Sequence, residues 1–184
     1  LCIVSYHSDL NCAGDSVMST YLKSDVYQLS QRLGLILKEN RLIVGTAESC
    51  TGGWIAQAVT MVPGSSSWFD AGFVTYSNKS KVQQLGVDPK LIDQYGAVSD
   101  VVVEKMLIGV LNRTEANCSI ATSGVAGPDG GTEDKPVGTV WIGVGHEFKG
   151  LMTRRYLFEG DRNSVRQQTV IESLNLMGHF LSQN

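Results

Sequence analysis

Residues 42–54 read LIVGTAESCTGGW, and their order narrows the possible architecture sharply. An apolar β-like run, Leu42-Ile43-Val44, feeds a turn of small hydroxyl and thiol residues, and Gly52-Gly53 then opens an amphipathic helical segment over residues 54–59. A strand that delivers Glu48, Ser49, Cys50 and Thr51 to a helix N-terminus is how α/β proteins present a nucleophile or cradle an anion. The amide N–H groups of the first turn lack helical partners, and the helix dipole favours negative charge. An ordinary strand–helix connection, with Thr51 as N-cap, satisfies the same spacing, so the flanking stretches carry the decision.

Those stretches alternate between helical and strand-like periods. Ser24 is placed to cap a helix in which Val26, Leu29, Leu33, Ile36 and Leu37 keep helical spacing. After the helix over 54–59, Pro63-Gly64 is a stop signal, residues 65–69 read as a short turn, and residues 72–76 as a strand. Asn78 is placed to cap a short helix ending at Gly86, and Pro89 suits the first turn of another over 90–95. Ser99 caps a longer helix whose apolar stripe is Val103, Met106, Leu107, Val110 and Leu111. Residues 116–122 form a third strand, and residues 123–138 a Gly/Pro-rich loop. Residues 139–145 and 152–158 read as an antiparallel hairpin, followed by a helix capped by Asp161 or Asn163 with Val170, Leu174, Met177 and Leu181 on one face. Alternating helices and strands with one hairpin predict an α/β fold, a three-layer α/β/α domain with a mixed β-sheet.

With 15 Lys and Arg against 18 Asp and Glu, the net charge is −3. No general basic surface exists for nucleic acid, so anion recognition must be local. No apolar run approaches the ~18 residues of a membrane span, and Leu1-Cys2-Ile3-Val4 is too short for a signal-peptide core. Cys2, Cys12, Cys50 and Cys118 lie far apart, without the spacing of a zinc site, and suit free thiols in a reducing cytoplasm. Residues 1–17 show no period and are read as an extension or tag-like tail before Met18, with the functional domain spanning 18–184. N-terminal sequencing of protein from its native source tests that boundary.

Three loops follow predicted strands, at residues 48–53, 77–81 and 123–131. If those strands are parallel neighbours, the loops share one end of the sheet, where open α/β folds bind ligands. Ser49 is a candidate nucleophile once a base takes its proton. His7, His146 and His179 sit in unpromising places, so Lys81, at the start of a helix after the second strand, is the better base. A neutral lysine near pH 7 needs surroundings that favour the free amine by about 4 kcal/mol, from burial or nearby cations. Glu48 facing it would oppose this, so Glu48 is expected in a hydrogen-bonded structural role. Tyr76 is placed to pass a proton or to hold Lys81. Cys50, the rival nucleophile, lacks an imidazole partner and is expected to pack as a small hydrophobe. The glycine-rich loop at Gly124 and Gly127 offers backbone N–H groups, and Arg162 and Arg166 offer guanidinium groups to a phosphate or to solvent.

Taken together, Thr46-Ala47-Glu48-Ser49-Cys50-Thr51-Gly52-Gly53, Tyr76-Ser77-Asn78, Gly96-Ala97-Val98-Ser99, residues 123–131, Lys135-Pro136-Val137-Gly138-Thr139-Val140 and Gly160-Asp161-Arg162 resemble the CinA carboxy-terminal domain, the family of bacterial nicotinamide-nucleotide amidohydrolases, and within it the stand-alone nicotinamide mononucleotide deamidases. The resemblance runs from about residue 29 to residue 180, in order. It implies metal-independent hydrolysis of the nucleotide carboxamide to nicotinate mononucleotide and ammonia, in pyridine-nucleotide salvage, without a cofactor. It further implies Ser49 as nucleophile, Lys81 as base with Tyr76 assisting, and Arg162 as a substrate contact. Lys79 offers a second amine two residues before Lys81. Thr51, Gly52 and Gly53, with Gly124 and Gly127, are the expected substrate-binding backbone, and amides near residues 50–53 the expected oxyanion hole. The resemblance also implies a small-molecule nucleotide substrate, a homodimer, and neither nucleic-acid nor membrane partners. The alternative is a non-catalytic nucleotide-binding or regulatory module on the same fold.

Overall fold

The computed structural model describes residues 13–183, with side chains from Val26 onward. Most of the expected tail, with Cys2, His7 and Cys12, lies outside the described residues. The first helix, α1, spans Ala13–Glu39. Neither Gly nor Pro stands between Asp15 and Leu33, so nothing interrupts the turns, and Ser24 lies inside the helix instead of capping it.

Strand β1 is Val44–Glu48, displaced toward the residues that composition assigns to the turn. It pairs in parallel on both sides, with β2 (Phe69–Val74) and β3 (Cys118–Gly124). A strand covered on both faces needs small side chains as much as apolar ones. Gly45 shows why: a Cβ there would come within 2.6 Å of Val110 Cγ1. Thr46, Ala47 and Glu48 therefore belong to the strand. Its register, Val44 opposite both Phe69 and Cys118, moves β2 earlier and β3 later than their local patterns suggest.

The five strands lie in the order β2-β1-β3-β4-β5, where β4 is Thr139–His146 and β5 is Gly150–Leu157. The first three are parallel, and β3–β4 and β4–β5 are antiparallel, giving the expected mixed sheet and hairpin. Helices α1, α2 (Trp54–Thr60) and α6 (Arg162–Ser182) cover one face. On the other lie α3 (Asn78–Leu85), α4 (Pro89–Tyr95) and α5 (Asp100–Leu111). The two faces are built differently. Val44, Ile120, Val140, Ile142 and Val144 point large side chains at α1, α2 and α6. Ala47, Ala121 and Gly143 let α5 settle closely, for a Cβ on Gly143 would meet Val103 Cγ1 at 2.6 Å. Val103, Met106, Leu107 and Val110 are fully buried there, each contributing roughly 1.5–3 kcal/mol of hydrophobic transfer.

Caps set where the site-bearing helices begin. Ser77, not Asn78, caps α3: its hydroxyl accepts from Ser80 N, and Ser80 Oγ accepts from Ser77 N in return. Asp161 caps α6 and Ser99 caps α5, each worth about 1 kcal/mol. Among the described residues, no helix is long and apolar enough to cross a membrane.

Candidate active site

The parallel order of β2, β1 and β3 brings their three following loops to one end of the sheet. Ser49 is the first residue beyond β1. Its N–H donates to Thr122 O at 3.1 Å, and its carbonyl accepts from Gly52 N at 3.1 Å, so its backbone is held from both directions. Helix α3 leaves the neighbouring strand, and its first turn lays Lys81 across the end of β1. Lys81 Nζ donates to Ser49 Oγ at 3.0 Å and to the Thr75 carbonyl at 2.8 Å. Lys81 is 1% exposed, whereas Lys79 is exposed, which separates the two amines that the sequence leaves equivalent.

Glu48 is also fully buried, but it faces away from this pair. Its Oε2 accepts from Gly53 N and Ile55 N, both at 3.0 Å, and its Oε1 accepts from Ala56 N at 2.8 Å. The carboxylate thus takes three of the free amides at the start of α2, which a helix N-terminus offers to any anion. It fills the capping role that an ordinary strand–helix connection would give Thr51. The N-cap position belongs to Gly53, which makes no side-chain cap, and Thr51 Oγ1 lies 3.0 Å from Thr122 Oγ1.

Burial lowers the Lys81 ammonium to about 8 from its usual 10.5; a thiolate at Cys50 would raise it. That thiolate is scarce at neutral pH. Burial pushes the Cys50 thiol up to about 11, against the pull of its own amide, and the Glu48 charge adds to the rise. Burial therefore makes the free amine of Lys81 far easier to reach near neutral pH than that of an exposed lysine. Cys50 is a protonated, mostly enclosed thiol, matching the packing role expected of it.

A cavity of about 220 Å³ opens over the pair, with Ser49, Cys50 and Lys81 in its floor. Ala97 and Val98 form one wall, Gly124 and Ala126 another. The turn carrying Ala97 is tied to β3 by Ser123 Oγ, which donates to Ala97 O at 2.7 Å. Across the rim, Arg162 donates from Nη1 to Gly127 O at 2.7 Å and from Nη2 to Tyr76 Oη at 2.8 Å. Tyr76 thus holds Arg162, not Lys81, and it is 60% exposed. A larger hollow of about 440 Å³ lies between α1 and the segment 62–68, where Ser67 Oγ donates to the Gly64 carbonyl at 2.9 Å.

The structure brings together Ser49, Lys81, Tyr76, Gly124 and Arg162 around one cavity. Gly127 stands behind it, through its carbonyl to Arg162. Thr51, Gly52 and Gly53 do not line it, and the Gly52 and Gly53 amides are already engaged by Ser49 O and Glu48. Cys50 lines the cavity, and its own amide and that of Thr51 pull against the rise of its thiol. His146 closes the β4–β5 turn, its Nδ1 accepting from Phe148 N at 3.0 Å, and His179 pairs with Gln183. Two contributors receive no role in the sequence reading. Ala97 and Val98 stand there only within the Gly96-Ala97-Val98-Ser99 stretch that resembles the family, since their apolar character alone gives no local signal of a cavity wall. Arg166, noticed only as a cation, reaches the carbonyls of Cys50 and Thr51.

Comparison with known proteins supplies a family. The model of the CinA C-terminal domain matches residues 26–181. The chain is similar to the nicotinamide-nucleotide amidohydrolase PncC of Escherichia coli (strain K12): 47% identical over 161 residues, covering 88% of this chain and 98% of the relative. It is 54% identical over 147 residues to the protein of the same name from Pseudomonas putida, covering 80% and 91%. Among solved structures, it resembles a competence-damaged protein (CinA) superfamily protein from Klebsiella pneumoniae. There the TM-score is 0.83 at 33% identity, with 86% of this chain and 99% of that one covered.

Proposed function

The chain belongs to the CinA C-terminal domain family, and from that premise we propose that it is a nicotinamide-nucleotide amidohydrolase acting on nicotinamide mononucleotide. The observation that carries the reading is the buried 3.0 Å contact between Lys81 Nζ and Ser49 Oγ beneath an open cavity. A serine is a useful nucleophile only beside a base that is neutral at working pH, and a desolvated lysine is such a base.

In the proposed cycle, Ser49 gives its proton to neutral Lys81, and Oγ attacks the carboxamide carbon. The electron-withdrawing pyridinium makes that carbon easier to attack. Negative charge gathers on the former carbonyl oxygen, for which the Cys50 and Thr51 amides are the proposed donors, each worth about 3 kcal/mol in such a role. Lys81 then passes its proton to the departing nitrogen, the C–N bond breaks, and ammonia leaves an ester on Ser49. Water attacks the ester and yields its proton to Lys81. The second tetrahedral species collapses to nicotinate mononucleotide, and Lys81 returns the proton to Ser49. Arg162, held at the rim by Gly127 and Tyr76, is the proposed contact for the substrate phosphate. No step is routed through a metal or cofactor. A homodimer and a cytoplasmic location belong to the same reading, tested by light scattering and by cell fractionation.

The deciding experiment measures ammonia release from nicotinamide mononucleotide, with and without a chelator, for wild type and Ser49→Ala. Turnover by wild type alone, unaffected by chelation, supports the scheme. Equal turnover by Ser49→Ala removes it, and tight binding without turnover by either protein favours the non-catalytic module.

A further inference from the structure

Arg166 stands outside the cavity, yet it grips the turn on which Ser49 sits. From the second turn of α6, its Nε donates to the Cys50 carbonyl at 3.1 Å and its Nη2 to the Thr51 carbonyl at 2.9 Å. Its guanidinium carbon also lies 5.3 Å from the centroid of the Trp54 ring. Edge and face of the cation are both engaged, which fixes its orientation as a lysine ammonium could not be fixed.

The hydrogen bond from Gly52 N to Ser49 O closes a four-residue turn with Cys50 and Thr51 at its centre. The central peptide of such a turn is the unit whose orientation distinguishes one turn type from another. Across a trans peptide, the carbonyl and the following N–H point in opposite directions. With both carbonyls drawn to Arg166, the Gly52 N–H is directed to Ser49 O, and the Thr51 N–H is directed away from α6. That amide lowers the neighbouring Cys50 thiol, and Cys50 is a lining residue of the cavity.

We propose that Arg166 is a positioning residue for the amidohydrolase reaction. By holding the Cys50 and Thr51 carbonyls, it locks the Ser49 turn in the orientation that keeps Ser49 Oγ on Lys81 and the Thr51 amide on the cavity side. The inference rests on the proposed function for its substrate, and on the geometry of the turn for everything else.

The test compares wild type with Arg166→Met and Arg166→Lys by three readouts: kcat and KM for nicotinamide mononucleotide, the rate at which a fluorophosphonate labels Ser49 by intact mass, and thermal melting. A misplaced nucleophile lowers kcat and labelling together, on the order of 100-fold for Arg166→Met, with KM within about twofold of wild type. Arg166→Lys keeps the charge and stem but recovers little, and added guanidinium ion partly restores Arg166→Gly. If Arg166→Met fails to fold, folded Arg166→Lys with wild-type kcat and labelling overturns the proposal. A raised KM with unchanged kcat also overturns it, and makes Arg166 a substrate contact. Slowed labelling in a protein whose wild type releases no ammonia keeps the positioning role and removes the amidohydrolase reading. A wild-type Ser49 that neither labels nor turns over substrate overturns both.

Discussion

Among the described residues, Glu48 and Lys81 are the two charged side chains sealed into the core, one on each side of Ser49, and the chain treats them oppositely. The β1–α2 junction surrounds Glu48 with three backbone N–H donors and a 3.4 Å contact from Thr46 Oγ1. Among the described residues, the β2–α3 junction gives Lys81 two acceptors, both neutral oxygens. A buried charge is tolerable when fixed dipoles replace its lost water, and costly when they do not. Glu48 is solvated by the helix start and serves architecture. Lys81 is under-solvated and sheds its proton readily, which a general base requires.

The strongest challenge to this contrast removes each group in turn. Lys81→Ala is expected to cut ammonia release by about 1,000-fold or more while the melting transition survives, as loss of one member of a nucleophile–base pair does. A Lys81→Ala enzyme within tenfold of wild type would put the base elsewhere. Glu48→Ala is expected to act on stability, stranding the amides of Gly53, Ile55 and Ala56 at a cost on the order of 3 kcal/mol, read from urea unfolding. Equal unfolding midpoints for Glu48→Ala and wild type would reduce Glu48 to a passenger.

The next effect is smaller and has a definite sign. Folded Lys81 titrates near 8 instead of 10.5, so between those values the unfolded chain binds more protons, and this group's contribution to stability rises with pH. Below pH 8, the buried ammonium carries its full cost. Lys81→Met is therefore expected to be more stable than wild type at pH 6 by about 1–3 kcal/mol, with the difference narrowing toward pH 10. A stability difference that stays flat across this range would refute the depressed lysine. For the same reason, kcat/KM should climb with pH through a limb near 8.

The smallest expected effect concerns Cys50, which touches both environments. Cys50→Ser leaves the neighbouring charges in place and should hold kcat within about threefold, because the thiol is protonated at working pH. Cys50→Asp sharpens the contrast: a carboxylate beside Lys81 should move the acid limb of the pH profile upward. An unmoved limb would show that burial alone governs the amine.

The two junctions also differ in how much the chain announces them. The A-E-S-C-T-G-G stretch points to a strand-to-helix turn bearing a nucleophile, and Pro89, Ser99 and Asp161 mark helix starts that form where expected. The strand boundaries were less legible. β1 is shifted because tight packing against α5 selects Gly45 and Ala47 as strand residues, and single-strand hydropathy does not register a neighbour's shape. Thr51 looked like a cap because its hydroxyl is at the right distance along the chain, but the Glu48 carboxylate reaches the same amides and binds them with charge.

What local order dictated, then, is the alternation of strands and helices, the three-layer α/β class, and which loops follow strands. Periodicities and caps arise between residues a few positions apart, and they are written into neighbouring letters. The assignments within the site came only with the tertiary structure. Lys81 meets Ser49 across 32 residues, Arg162 meets Tyr76 across 86, and Arg166 meets Cys50 across 116. Which lysine is buried, and so which amine is free to act as a base, depends on how the folded sheet and helices enclose it and exclude water.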